Sequence, residues 1–390
     1  MTDKPPYAIV HTGASLRSTE ASSRILWLLL ATLLLSACVS LPEEVQRTPS
    51  YAIEDNRDTH LWRQLEPLVE ENSGLSGFYI LGEGEDAYAS RVRLVMEAER
   101  SLDLQYYIWH TDLTGRILHE LLLRAADRGV RVRLLLDDLD TAGKDDLLRK
   151  LDAHPNLEIR LFNPFSNRER RARDFVSDTR RINRRMHNKT LTADNVVTIF
   201  GGRNIGDEYF AATEEVGFGD LDALAVGPIV HEVSDQFDLY WNSEWVYPLA
   251  AFAPEQPLTQ AQIEAFRAES AAFVESAGSS RYAQVLRELE MSQMQSLGEF
   301  DFNWSEWMLA YDQPSKVDAG EVTSATHLAP KLATGMERTR EELIIVSPYF
   351  VPGKELTAYL VGLVDSGVRV RILTNSLQAN DVSLVHAGYM

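Results

Sequence analysis

Of the nine histidines in the 390-residue chain, one stands in a spacing that could do phosphate chemistry. In Met186-His187-Asn188-Lys189 the imidazole and the ammonium are two positions apart in the β-rich run MHNKTLTA. An extended chain there projects both side chains to one face, so they can converge on one phosphate. Asp194 follows, and after six further residues comes Gly201-Gly202-Arg203-Asn204. The two glycines end the strand VVTIFG, where the missing side chains let the backbone approach a ligand closely. Asn204 then opens a predicted helix, setting an amide donor beside a helix N-terminus that favours anions. No HExxH or CxxC occurs and HNK is not a metal-binding spacing, so no metal and no cofactor is expected.

Such residues need a sheet to hold them. From Ser76 to Phe162, β-rich runs (GFYIL, LDLQYYIW, VRVRLLL, LEIRLF) alternate with helical periods (AYASRVRLVMEAER, GRILHELLLRAADRG, KDDLLRKLDAH). Helix-length connections between strands predict an α/β fold with a mainly parallel sheet flanked by helices. The runs MHNKTLTA, VVTIFG and DALAVG add further strands. An internal repeat sharpens this reading. AERSLDLQYYIW to RAADRGVRVRLLLDD is echoed by RTREELIIVSPYFVP to GLVDSGVRVRILTN, with Gly129-Val130-Arg131-Val132-Arg133 recurring at Gly367-Val368-Arg369-Val370-Arg371, an offset of 367 − 129 = 238. Both copies read as strand, helix, strand, with Tyr107 and Tyr349 at corresponding strand ends.

The pattern HxKxxxxD followed by G[GS]xN resembles the phospholipase D superfamily motif, and His187, Lys189, Asp194, Gly201, Gly202 and Asn204 fill every position. Runs such as QYYIW, LFNPF, NRRMHNK, GGRNIGDEYF and LTNS look like its cardiolipin synthase C-type branch. The resemblance implies two pseudo-symmetric lobes, each a mainly parallel mixed sheet with flanking helices. It implies that one histidine attacks a phosphodiester phosphorus, giving a phosphohistidine, while a second from the other repeat protonates the leaving alkoxide. An alcohol or water then resolves the intermediate. His187 is read as the nucleophile, with general acid as the alternative. Lys189 and Asn204 would stabilise the phosphoryl oxygens, and Asp194 would hold the turn between strands. Asp222, or alternatively Asp220, would orient the imidazole.

The activity so implied is phosphatidyl transfer making cardiolipin from phosphatidylglycerol and a second phospholipid, phosphatidylethanolamine or cardiolipin among the candidates. Hydrolysis by water is the alternative, and a non-catalytic envelope lipoprotein a third reading. A net charge of −20 argues against nucleic acid, because binding it requires a positive surface. An anionic headgroup must instead meet a local basic patch. Residues 168–185 hold eight arginines (168, 170, 171, 173, 180, 181, 184 and 185) against Glu169, Asp174 and Asp178, a net +5. This run either guides a lipid headgroup or membrane surface to the site or is a solvated charged loop. Arg184 and Arg185, adjoining the motif, are the candidate substrate-binding pair.

The single cysteine excludes an intramolecular disulfide. Ile25 to Leu35 is an apolar run of 11 residues ending at Leu35-Ser36-Ala37-Cys38, the layout of a secretory signal and lipobox with Cys38 as lipidation site. A retained membrane anchor is the other reading, although Ile25 to Val39 gives 15 residues where spanning takes about 20. The expected division is 1–38 signal and lipobox, 39–60 flexible linker, 61–250 first lobe, 251–300 helical connector and 301–390 the start of a second lobe. The implied location is the bacterial cell envelope, with the domain on the extracytoplasmic side of the membrane. The repeat offset puts a second HxK at 187 + 238 = 425, beyond this chain, so the site is expected to be half of a pair.

Overall fold

The computed structural model describes residues 40–212, 217–252, 256–280, 282 and 296–376. The signal and lipobox positions through Cys38 lie outside the described residues. Among the described residues no helix is long and apolar enough to cross a membrane.

In chain order the elements are α1 (His60–Glu71), β1 (Ser76–Leu81), α2 (Gly84–Glu97), β2 (Ser101–Tyr106), α3 (Leu113–Asp127), β3 (Arg131–Asp137), α4 (Asp145–Asp152) and β4 (Leu157–Phe162). There follow α5 (Asp174–Ser177), α6 (Thr179–Ile182), β5 (Thr190–Ala193), β6 (Val197–Gly201), β7 (Asp222–Val226), α7 (Ile229–Trp241) and β8 (Val246–Pro248). The last are α8 (Gln260–Ser276), β9 (Asn303–Ser305), α9 (Leu328–Met336), β10 (Glu342–Val346), α10 (Gly353–Asp365) and β11 (Arg369–Leu373).

Nine strands form one mixed sheet in the order β8-β4-β3-β2-β5-β6-β7-β1-β9. The expected α/β sheet flanked by helices is present. Its parallel part is β4-β3-β2, where α3 and α4 supply the crossovers, and the remaining pairs are antiparallel. Alternation along β3 shows the two layers: Val132, Leu134 and Leu136 enter the larger core with α2 and α3, while Leu135 faces a second core with Phe237, Tyr240 and Trp241 of α7. Arg133 is buried on that second face, where its guanidinium forks onto Asp103 at 2.6 and 2.7 Å and reaches Asp238 at 2.7 Å. Such a bidentate pair satisfies donors that burial would otherwise leave exposed to an apolar interior.

The repeat is visible in the backbone. β2-α3-β3 and β10-α10-β11 are both parallel strand pairs joined by a helix. Gly129 and Gly367 end the two helices at φ 95° and 93°. Gly129 N–H donates to Ala126 O and Val130 N–H to Ala125 O, as Gly367 N–H does to Val364 O and Val368 N–H to Leu363 O. This is the same left-handed helix stop twice, and it explains why glycine recurs in GVRVR. β10 and β11 form their own two-stranded sheet, with Ile344, Val346, Ile372 and Leu373 exposed.

Two expected boundaries are corrected. Residues 40–59 are laid on the first lobe, not free as a linker. Arg47 Nε donates to Val246 O, Ala52 N–H to Asp238, and buried Asn56 donates to the carbonyls of Asp194 and Asn195. Buried arginines Arg133 and Arg160 draw this strand in, because they need the carbonyls of Ser50 and Thr48 as acceptors. At the other end, β9 pairs with the edge of β1, so the first sheet extends past residue 300.

Candidate active site

His187 and Lys189 lie in the extended approach to β5, just before the strand itself begins at Thr190. Their spacing still brings them together: Lys189 Nζ is 3.1 Å from His187 Nδ1 and 2.7 Å from the His187 carbonyl oxygen. An ammonium donates and does not accept, so Nδ1 is the acceptor and the ring proton lies on Nε2. Tyr107, directly after β2, covers the imidazole with ring centroids 4.0 Å apart, and Lys189 Nζ stands 5.3 Å from the same Tyr107 ring. Met186 anchors the segment from below, fully buried in the core on the α7 face.

The electrostatics favour a neutral histidine beside a cation. Dehydration, then the positive charges of Lys189 and Lys316, push the His187 pKa down to about 4, with Asp312 opposing. The residue keeps an exposed edge through which a substrate can reach it. Lys189 is buried, and burial lowers its pKa to about 8 against the pull of Asp220, Asp137 and Asp222. At pH 7 the pair is therefore a free base beside a mostly charged ammonium.

Asp222, the first choice for orienting the imidazole, is engaged elsewhere. Its carboxylate takes Arg91 Nη2 at 3.0 Å, Arg203 N–H at 3.2 Å and Arg203 Nη1 at 3.4 Å, all deeply buried. Buried guanidiniums demand a carboxylate, and this one satisfies two. Asp220, the alternative, has no hydrogen-bond partner for its side chain among the described residues, and its charge is the leading acidic influence on Lys189. The glycines serve these acids: a β-carbon at Gly201 would fall on Asp222 Oδ1 and the Leu221 carbonyl, and one at Gly202 on Asp220 Oδ1. Glycine here lets carboxylates, as well as any ligand, approach the backbone.

Asn204 does not open a helix; only the 3₁₀ turn Asp207–Tyr209 follows it. Its Oδ1 accepts from Ile108 N–H at 3.0 Å and its Nδ2 donates to Tyr209 Oη at 3.0 Å, which fixes the buried side chain and leaves the second amide hydrogen for a ligand. Asp194 does not touch His187. It sits with Asn195 in left-handed backbone at the β5–β6 turn, φ 53° and 52°. Its carboxylate accepts the N–H groups of Glu99, Arg100 and Ser101, tying that turn to the start of β2.

Arg184 and Arg185 face inward, contrary to the expected substrate-binding role. Arg185 pairs with buried Asp137 at 2.8 Å and caps the carbonyls of Phe162 and Asn163. Arg184 donates to Lys316 O at 2.6 Å and Ala319 O at 3.1 Å. Both partners come from distant chain, which residue spacing does not reveal.

Two residues beyond the motif bear on the site. Tyr107 carries in the sequence only the signal of a strand end. Lys316 lies 129 residues from His187 in sequence, in the turn Pro314–Val317, where it pairs with Asp312 at 2.5 Å. That turn is docked by Arg184 and by Val317 in the core that holds Met186. No local spacing marks Lys316 in the sequence. Elsewhere, His110, Asp112 and Glu208 bring ligand-type atoms within 4.8 Å of one another. They are already engaged as a clasp: Glu208 with His110 at 3.1 Å, and Asp112 with the N–H groups of Gly115 and Asp207.

The chain is similar to several known proteins. A family model described as "Cardiolipin synthase, PLD-like domain" matches residues 92–241. Cardiolipin synthase C of Escherichia coli is 46% identical over 328 residues, covering 83% of this chain and 67% of that protein. An uncharacterized protein of Helicobacter pylori is 31% identical over 325 residues, covering 82% and 63%. Among solved structures, phosphatidylserine synthase of Haemophilus influenzae is similar with a TM-score of 0.50 at 16% identity, covering 82% of this chain and 67% of that one, a likeness of fold. The chain thus spans about two thirds of the length of the curated relatives it matches.

Proposed function

Since the chain belongs to the phospholipase D superfamily, in its cardiolipin synthase C branch, we propose that it transfers a phosphatidyl group between phospholipids through a phosphohistidine on His187. The observation that carries this reading is the neutral imidazole held against a buried lysine. When a phosphodiester enters, Lys189 moves its contact from His187 to a phosphoryl oxygen. That single change neutralises the phosphate and frees the ring to attack. The remaining amide hydrogen of Asn204 adds a donor for the charge that builds on the phosphoryl oxygens. Asp220 sustains the charge of Lys189, and Lys316 supplies a second cation acting on His187.

Attack on phosphorus forms the N–P bond and breaks the P–O bond to the leaving alcohol, whose alkoxide takes a proton from the second histidine that the family resemblance implies. The glycerol hydroxyl of phosphatidylglycerol then gives its proton to that second histidine, forms the new P–O bond, displaces His187 and yields cardiolipin. Phosphatidylglycerol or phosphatidylethanolamine serves as donor. Anchorage at the membrane through Ile25–Leu35, with lipidation at Cys38, completes the reading. Incubating the complete protein, with both motifs, and liposomes of phosphatidylglycerol, with and without phosphatidylethanolamine, tests it by the products. Cardiolipin with release of glycerol or ethanolamine is expected, and phosphatidic acid alone would move the assignment to hydrolysis.

A further inference from the structure

Most of the arginine-rich segment is anchored, and what remains over is a small amphiphilic tip. Arg168 and Arg171 hold Asp138, Arg181 holds Asp178 and Asn163, and Arg180, Arg184 and Arg185 reach Ala319, Lys316 and Asp137. The side chains of Arg170 and Arg173 are exposed and have no partner among the described residues. Beside them α5 presents Phe175, 41% exposed, and Val176, 85% exposed, the largest exposure of any large hydrophobic side chain among the described residues. The tip has a fixed root: buried Asp174 accepts the N–H groups of Ser166 at 2.5 Å and Asn167 at 3.2 Å, and Phe175 leans on Phe165 with ring centroids 5.4 Å apart.

Free guanidinium groups beside exposed apolar side chains match the boundary layer of an anionic bilayer, where phosphates lie just above acyl chains. The whole chain carries −20, so an anionic surface would repel most of it and attract this face. Two apolar side chains are far too few for a stable protein interface, which takes roughly 20 residues a side. A bilayer needs no matching partner surface.

We propose that Arg170, Arg173, Phe175 and Val176 form a membrane-docking tip for anionic phospholipid. Val176 and Phe175 enter the interfacial layer and the two arginines bind lipid phosphates. Val176 precedes His187 by 11 residues. The docking role rests on the reading of the substrate as a membrane phospholipid, but docking itself requires no turnover. The test places an environment-sensitive dye on Val176→Cys in a Cys38→Ser background. Vesicles of phosphatidylcholine with phosphatidylglycerol should shift the emission to the blue, and phosphatidylcholine alone should not. Arg170→Glu with Arg173→Glu should weaken that response about tenfold or more, while turnover of a short-chain, monomeric phosphodiester stays unchanged. The shift should persist when His187→Ala is added, which separates failure of docking from failure of the catalytic reading. A dye that stays in water while the protein sediments with phosphatidylglycerol vesicles overturns the proposal. So does a blue shift that grows with protein concentration without lipid, which would show a second copy covering the tip.

Discussion

Lys189 Nζ rests 3.1 Å from His187 Nδ1 and 2.7 Å from the carbonyl oxygen of the same residue, so the cation that a phosphate would recruit is held by the base that would attack it. The Lys189 ammonium lowers the His187 pKa, and burial lowers that of Lys189.

Activity should follow a bell in pH. His187 loses its nucleophilic lone pair as pH falls through about 4, and Lys189 loses its charge as pH rises through about 8. Lys189→Arg keeps a permanent cation, so the alkaline limb should move upward even though kcat falls. A profile of kcat/KM against pH for both proteins checks this.

Lys189 also couples stability to pH. Its folded pKa lies below the unfolded value near 10.4, so the unfolded chain binds more protons between about pH 8 and 10.4 and stability should rise with pH across that window. Lys189→Met removes the buried charge. It should abolish turnover while raising stability by about 2 kcal/mol near pH 7, measured by urea denaturation, and the rise should vanish above pH 10.

The two acids should separate in experiment. Asp222→Asn leaves Arg91 and Arg203 without their shared carboxylate, and removing one partner of such a buried pair costs about 3–5 kcal/mol. Asp220→Asn should leave the thermal midpoint nearly unchanged. It should move the alkaline limb of the pH profile downward, because the charge sustaining Lys189 is gone.

Lys316→Met removes one of the two cations that lower the His187 pKa. The His187 imidazole should titrate higher, as followed by NMR, and the acid limb of the activity profile should move up with it. An unchanged titration would show that Lys316 acts only through packing.

Asp194→Ala should destabilise by roughly 2–4 kcal/mol, because three backbone N–H groups lose their acceptor. Activity per folded molecule should stay near normal, since Asp194 does not touch His187.

What the sequence made legible was whatever depends on near neighbours. The two-residue spacing of His187 and Lys189, the Gly201-Gly202 close approach and the GVRVR repeat each express a backbone rule, and the structure realises each one. What it hid was set by distant partners. Arg184 and Arg185 look like free cations until Lys316 O and Asp137 arrive from elsewhere in the chain. Residues 40–59 look like a spacer until Arg133 and Arg160 claim their carbonyls. Lys316 carries no motif of its own and becomes relevant only because Val317 packs beneath Met186. Asn204 was expected at a helix start, and a 3₁₀ turn stands there because the side chain bonds to Ile108 and Tyr209.

The most direct measurement is mass spectrometry of the protein turning over phosphatidylglycerol, quenched with denaturant at mildly alkaline pH and read at the peptide that contains His187. A phosphatidyl adduct on His187, stable to alkali, lost in acid and absent from His187→Gln, is the expected result. Full-rate product formation by His187→Gln, or an adduct on any other residue of this lobe with His187 unmodified, would contradict it.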